Sequence, residues 1–600
     1  TACLVTCFSL YLAFLDQMEP KEIRELGEEL ERAANAKILP RILWEREQAK
    51  PRVRDRHYST VHEFDFFAME TVAQFHLVIG NPPWVSRKPA PNVEAWLYSE
   101  RNPYAKELGW NPNRKTQIEG LTESLFPSSE HACAFMWKAG LHLVPSGRVC
   151  QVMPSRVFLS NNSDRFQLAW LSRHKLDAVW LLADYRKFLF PTAKCPCFIG
   201  RHQPLPVGEG VGEFEFVSPK VELSDPRAAS LPVQPEDQKT LSQPALIAAA
   251  RERKAASLWK MHYWGTPRDM RLLERLLRWP RLSRIARRPP GDDDAEDDDL
   301  NTVDAEASAE APPRTWYKGQ GFRARSASTR NPFPVFWRYK DRYLSARASV
   351  SDLVLLREQT TEIGDQFRAE GLDRKRNPLI FHEPMLIVNK ACTKFLFSDF
   401  DVLFQDDFQS ICAPIDDKEE LLFLTAYFSS PLAQYLLFHT TANIGIERDI
   451  ARLNEMLRLP FPLPEDMPDP TKAKRIIHAC AARMLKLQRE LRDDRNLLRR
   501  DPLVNEARAE LYEKVGDYFG LCEWERELIA DTVETFRPSS TPASLDSDKL
   551  FTAKPSKPAH RAAYAETLVR TFRSWTRGEK SIWAQGHVAP ASGLALLTLG

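Results

Sequence analysis

The chain has 600 residues, 43% hydrophobic and 27% charged, with 15 Trp and a formal net charge of +2. That composition excludes a disordered or fibrous chain, and the length exceeds what one hydrophobic core organises, so several domains are expected. A near-neutral balance leaves any nucleic-acid contact to local charge, and ten cysteines without the dense spacing of a disulfide scaffold fit a reducing cytoplasm.

Residues 1–16 are apolar but too short to span a bilayer, and they lack the basic start and cleavage site of a leader, so they read as a core helix. Because Thr rather than Met comes first, the chain reads as a fragment of a longer protein. A second helix is expected over 20–36, amphipathic through Ile23, Leu26, Leu30 and Ala33. A possible strand near Val61 to Phe67 precedes the apolar, buried-looking run Leu77 to Ile79. A long loop rich in Pro, Asn and Trp fills 85–129, where Trp96, Trp110 and Phe126 either pack the loop itself, the commoner role of such residues, or cover a ligand. Next come a helix from His131 to Leu143, a turn at Pro145–Gly147, a strand from Arg148 to Met153, a helix at 163–173, and strands at 176–183 and Cys197 to Gly200. Strands alternating with helices predict a doubly wound α/β sheet over residues 1–205.

Residues 206–314 read as a connector. Within it, 251–290 carry 12 Lys or Arg against 3 Asp or Glu, arranged so that Leu272, Leu273, Leu276 and Leu277 share one side of a helix and Arg271, Arg275 and Arg278 another. Such a face suits phosphate contact, and it suits a solvated amphipathic helix nearly as well. The following run, 291–313, has no basic residue and is expected to stay solvated and disordered. Strand-like aromatic stretches return over 315–465 with a helix near 418–438, and 466–600 is largely helical: 471–536, a Pro/Ser linker at 537–560, and a last helix near 561–577. Cys195-Pro-Cys197 alone has chelate-like spacing, and no second Cys or His pair stands at zinc-ligand distance, so no metal site is expected.

The chemically distinctive stretch is FHLVIGNPPW, residues 75–84. An Asn before Pro, and a Pro before Pro, are held extended, and neither proline offers an N–H. The result is a stiff pair of acceptors, the Asn81 side-chain oxygen and the Pro82 carbonyl, with Pro83 holding the backbone and Trp84 adding a flat apolar surface. A planar group bearing an NH2 fits that arrangement: hydrogen bonds from both amine hydrogens favour the pyramidal form that attacks an electrophile. Four other Asn-Pro pairs, at 102, 111, 331 and 377, lack the preceding strand and the second proline and read as turns.

The tetrad Asn81-Pro82-Pro83-Trp84 resembles motif IV, (D/N)PP(Y/F/W), of the amino-methyltransferases, and its setting is similar to adenine-N6 DNA methyltransferases of the large restriction-modification (type IIG-like) class. The resemblance implies an incomplete Rossmann-like methyltransferase domain over 1–205, a mixed α/β target-recognition domain over 315–465 and a C-terminal helical region. It implies that Asn81 and the Pro82 carbonyl hold adenine N6 while Trp84 stacks on the flipped base. HEFDFF at 62–67 looks like motif III, which makes Asp65 and Phe66 the candidate contacts to S-adenosyl-L-methionine. The Gly-rich cofactor loop would lie before residue 1, since GEGVG at 208–212 follows no convincing strand. Double-stranded DNA is the implied partner, with Lys318, Arg323, Arg325 and Lys390 as candidate contacts and restriction or defence-system subunits as possible companions. No membrane is implied, and the cytoplasm is the expected location. Rival readings are a DNA-binding specificity subunit with an inactive fold, a methyltransferase acting on protein glutamine amides, and a bifunctional enzyme with a nuclease upstream.

Overall fold

The structure, a computed structural model, describes residues 19–22, 24–25, 66–70, 72–84, 93, 96, 131–160, 163–185, 189, 197–205, 209–220, 233–289, 314–322, 324–325, 342–345, 348, 350, 353–363, 371–372, 377–446, 450–451, 453–493, 497–539, 558–575, 583–589 and 594–599. The chain divides into two compact units, one of residues 1–73 and 89–118, the other of 74–88 and 119–600. In the first, the described residues from 20 to 25 are helical, which fits the start of the expected second helix. Phe66 to Met69 form a turn, closed by the Met69 amide on the Phe66 carbonyl at 3.3 Å, where the sequence pattern allowed a strand. The buried Trp96 packs there on Phe67, ring centroids 5.4 Å apart.

The second unit opens with a six-stranded sheet: β1 (Phe75–Gly80), β2 (Leu143–Pro154), β3 (His174–Leu181), β4 (Cys197–Pro204), β5 (Glu213–Val217) and β6 (Gln238–Ser242), in the order β1-β2-β4-β3-β5-β6. β1 runs parallel to β2, and β3 parallel to β5, whereas β4 is antiparallel to both of its neighbours and β6 antiparallel to β5. The sheet is therefore mixed rather than all-parallel, because β3 and β4 form a hairpin whose second strand inserts beside β2. β1 is also less enclosed than its apolar sequence implied: it stands at one end of the strand order, with Leu77 and Ile79 55% and 72% exposed. The expected turn at Pro145–Gly147 lies inside β2 as a bulge, the register jumping from Phe75↔Leu143 to Leu77↔Arg148. Only glycine fits at 147, where a Cβ would lie 2.7 Å from the Phe75 carbonyl oxygen.

The sheet also runs past the expected boundary at 205. Phe214 and Phe216 are buried and alternate with exposed Glu213 and Glu215, so β5 is a half-buried strand that the surrounding Pro and Glu residues obscured. Helices α1 (His131–Leu141) and α2 (Asp164–Leu171) connect the strands, followed by α3 (Gln243–Arg251), α4 (Ala255–Trp264) and α5 (Pro267–Leu276). The basic stretch is thus two helices, parted at Gly265-Thr266-Pro267, with Thr266 capping α5 through a reciprocal bond with Asp269.

A five-stranded sheet follows, in the order Phe395–Ser398, Met385–Asn389, Phe408–Cys412, β8 (Trp316–Gln320) and the short β7 (Ala286–Arg287), over a core that includes Phe381, Phe404 and Phe408. The single helix expected at 418–438 is two, α6 (Lys418–Ser429) and α7 (Pro431–Thr440), bent by 65° where Pro431 cannot continue the helical ladder. No single described helix is long and apolar enough to cross a membrane. The C-terminal region is helical as expected: α8 (Pro470–Asp493), α9 (Leu497–Tyr518), α10 (Glu523–Asp531) and α11 (Pro558–Trp575), with a closing hairpin at 584–599. The acidic run 291–313 lies outside the described residues.

Candidate active site

β1, β2, β3 and β5 all point the same way, so their carboxyl ends share one edge of the sheet, where open α/β sheets place ligands. Asn81 begins where β1 stops. Asn81 and Pro83 are exposed, Pro82 is buried and Trp84 is half-buried. Among the described residues the Asn81 carboxamide has no hydrogen-bond partner, so its oxygen is available to a ligand.

Trp84 is held from two sides. Its indole Nε1–H donates to the Val152 carbonyl oxygen on β2 at 3.3 Å. Its ring packs, with Val152 and Ile199, on a cluster of Leu182, Tyr185 and Cys197 from the ends of β3 and β4. Both ends of the hairpin are joined where the Leu182 amide donates to the Cys197 carbonyl at 2.9 Å. Behind this wall, the Asp184 amide donates to the Tyr263 hydroxyl of α4 at 3.0 Å, and the Tyr185 hydroxyl donates to the Lys220 carbonyl at 3.1 Å. Lys220 lies 4.2 Å over the Tyr263 ring, and burial pulls its ammonium down to about 8 against the opposing pull of Asp184 and Asp237. The wall residues Val152, Leu182, Tyr185 and Cys197 were missed in the sequence, since nothing local marks them; the hairpin that gathers them is a tertiary fact.

The expected cofactor contacts are placed only in part. Asp65 lies outside the described residues, and Phe66 stands in the turn of the first unit, edge-on to Phe67 at 5.7 Å. Of the candidate DNA contacts, Lys318 is 6% exposed within β8, and this burial is at odds with a phosphate contact. Arg323 lies outside the described residues, and Arg325 is placed by its backbone alone, paired with Gly371. Lys390 is partly exposed, 3.5 Å from the Asp406 carboxylate. Arg275 is committed elsewhere: it grips Glu525 of α10 at 2.6 Å and the Phe519 carbonyl at 3.2 Å. Arg271 and Arg278 remain exposed. Cys195 lies outside the described residues, Cys197 is buried, and no group of three potential metal ligands occurs among the described residues.

Residues 1–188 match the family model of the Eco57I restriction-modification methylase, so this part of the chain is similar to a restriction-modification methylase domain. Among solved structures, the chain is similar to the type IIL restriction-modification enzyme MmeI in complex with DNA, at 12% identity over 84% of this chain and 57% of that one, with a TM-score of 0.34. It is similar as well to the type IIG restriction endonuclease BpuSI, at 11% identity over 77% of this chain and 56% of that one, with a TM-score of 0.29. A type I restriction-modification system methyltransferase subunit from Streptococcus thermophilus matches at 18% identity over 32% of this chain and 35% of that one, with a TM-score of 0.20. The chain thus spans little more than half the length of the first two, and at these scores the likeness to methylases rests on the family model over residues 1–188. No curated protein matches the chain.

Proposed function

We propose that the methylase domain transfers a methyl group from S-adenosyl-L-methionine to N6 of adenine in double-stranded DNA, as part of a cytoplasmic restriction-modification or phage-defence system. The observation that carries this reading is the edge at Asn81 to Trp84: an exposed carboxamide with no partner among the described residues, beside an aromatic ring pinned to the neighbouring strand.

An adenine in a duplex is out of reach of such an edge, so the target base is flipped out at a cost of a few kcal/mol in unstacking. Trp84 offers the stacking face. The Asn81 oxygen and the Pro82 carbonyl accept from the two amine hydrogens, which turns the nitrogen lone pair out of the ring system toward the electrophile. S-adenosylmethionine supplies, when bound, the electrophilic methyl group. The chain supplies position and polarity, with no strong base and no covalent enzyme intermediate. The region 315–465, with Lys390, Arg325 and the exposed Arg271 and Arg278, is proposed to contact the duplex.

The experiment is Asn81→Ala in the full-length protein, assayed for transfer of labelled methyl groups into DNA and, separately, for DNA binding. Methylation is expected to be lost and binding retained. Undiminished methylation sinks the proposal, and label found in protein glutamine instead of DNA moves it to the protein-methylating class.

A further inference from the structure

We infer that Gln151 is a ligand-reading residue of this edge, its side-chain oxygen accepting a hydrogen bond from an adenosine moiety bound there. The inference rests on the methyltransferase reading above and names a group that reading does not use.

Gln151 lies on β2 immediately before Val152, whose carbonyl holds Trp84. Its register partner on one side is Gly80, the residue before Asn81, and on the other side Gly200 of β4. Directly paired residues point to the same face, so the Gln151 side chain lies between two positions that have none. A Cβ added at Gly80 would find only the Gln151 Nε2, at 4.0 Å, within reach, so the glycine is not required by crowding. Gln151 is 5% exposed, and its Oε1 is wholly buried without a hydrogen-bond partner.

Folding does not explain that choice. The flanking residues on the same face of β2, Val149 and Met153, are apolar and buried. An apolar side chain would fill the gap between the glycines without stranding an acceptor, and buried acceptors are rarely left unmet. A donor that arrives with the ligand resolves the mismatch. An exocyclic amine or a sugar hydroxyl supplies one, and adenosine brings such donors from either of two sources, the cofactor or the flipped nucleotide.

The test uses the full-length protein with Gln151→Met, which keeps the side-chain length and removes both polar ends. S-adenosylhomocysteine binding is measured by calorimetry, and the KM for unmethylated genomic DNA in the labelled-methyl assay. About a tenfold loss in one of the two is expected, the worth of one hydrogen bond, with the melting temperature unchanged or raised. Weaker S-adenosylhomocysteine binding assigns the donor to the cofactor; a higher KM with that binding intact assigns it to the target nucleotide. Unchanged binding and KM overturn the inference. Gln151→Glu, which keeps an acceptor, is expected to stay within about threefold of the wild type; equal losses in the two variants mark a packing role and overturn it as well. Asn81→Ala run in parallel separates the two readings, since methylation that survives that change defeats the site itself and not Gln151.

Discussion

The indole nitrogen of Trp84 donates to the Val152 carbonyl at 3.3 Å, joining the residue that ends the Asn-Pro-Pro-Trp segment to the strand beside it. The ring orientation is thereby set by the neighbouring strand. Trp84→Phe keeps a flat face and loses this bond, whereas Trp84→Ala loses both. The alanine variant is expected to weaken target binding by roughly 1–3 kcal/mol, read as a raised KM for DNA, with the phenylalanine variant in between. Equal KM values for all three proteins would refute stacking on this ring.

Gly147 sits in the β2 bulge with room for no side chain, since a Cβ there would lie 2.7 Å from the Phe75 carbonyl and 3.0 Å from the Val144 carbonyl. Both obstacles are backbone and cannot swing aside. Gly147→Ala is expected to cost about 1–3 kcal/mol in chemical denaturation, with methylation falling in step because β1 carries Asn81. A variant as stable as the wild type would show that β1 and β2 do not pair in this register.

Arg275 and Glu525 make a two-pronged pair, at 2.6 and 3.1 Å, between α5 and α10, and the Glu525 side chain is 7% exposed. Arg275→Met leaves that buried carboxylate without its cation, with the Cys522 amide donating to it at 3.0 Å, for an expected loss of about 3 kcal/mol, partly restored by adding Glu525→Met. By contrast, Arg271→Met and Arg278→Met are expected to leave stability alone and weaken DNA binding at low salt. Binding that is insensitive to both exposed arginines would take the duplex away from this face.

Acid is expected to destabilise the protein. Burial holds His174 down at about 4, against an ordinary 6.5, and likewise lowers His202, His262 and His439. As pH falls through 6.5, the unfolded chain takes up protons that the folded one refuses until about 4. Their contribution is therefore full above 6.5 and lost toward 4, by roughly 2 kcal/mol at pH 5 for one such histidine. Asp164, pushed up to about 6 by burial, acts in the opposite sense, as do Glu527 and Asp531, which burial also raises, but these two are less buried than the four histidines. The melting temperature is expected to be lower at pH 5 than at pH 7, and the drop to shrink in His202→Phe. An equal drop in that variant would remove His202 as a cause.

Much of the arrangement could be read before the structure. Helix positions followed from apolar spacing, as in α8 and α9, and the stiffness of residues 81–84 followed from two prolines that restrict their neighbours. Asn377 also behaves as a turn residue, its side chain accepting from the Leu379 amide at 3.0 Å. Three things were hidden. The hairpin order of β3 and β4 depends on which edge β4 finds, which no local pattern records. The role of Arg275 turned on a partner 250 residues away. Gln151 looked like one polar residue in a strand until its two flanking glycines were aligned across three strands.

The antiparallel course of β4 has a consequence for evolvability. Because β4 starts at the edge where β3 ends, the two strand ends that back Trp84 are tied directly to each other by the Leu182 to Cys197 bond, without any crossover. Insertions or deletions in the sequence between these two residues would leave every strand in register, so that segment and the integrity of the sheet are free to vary independently.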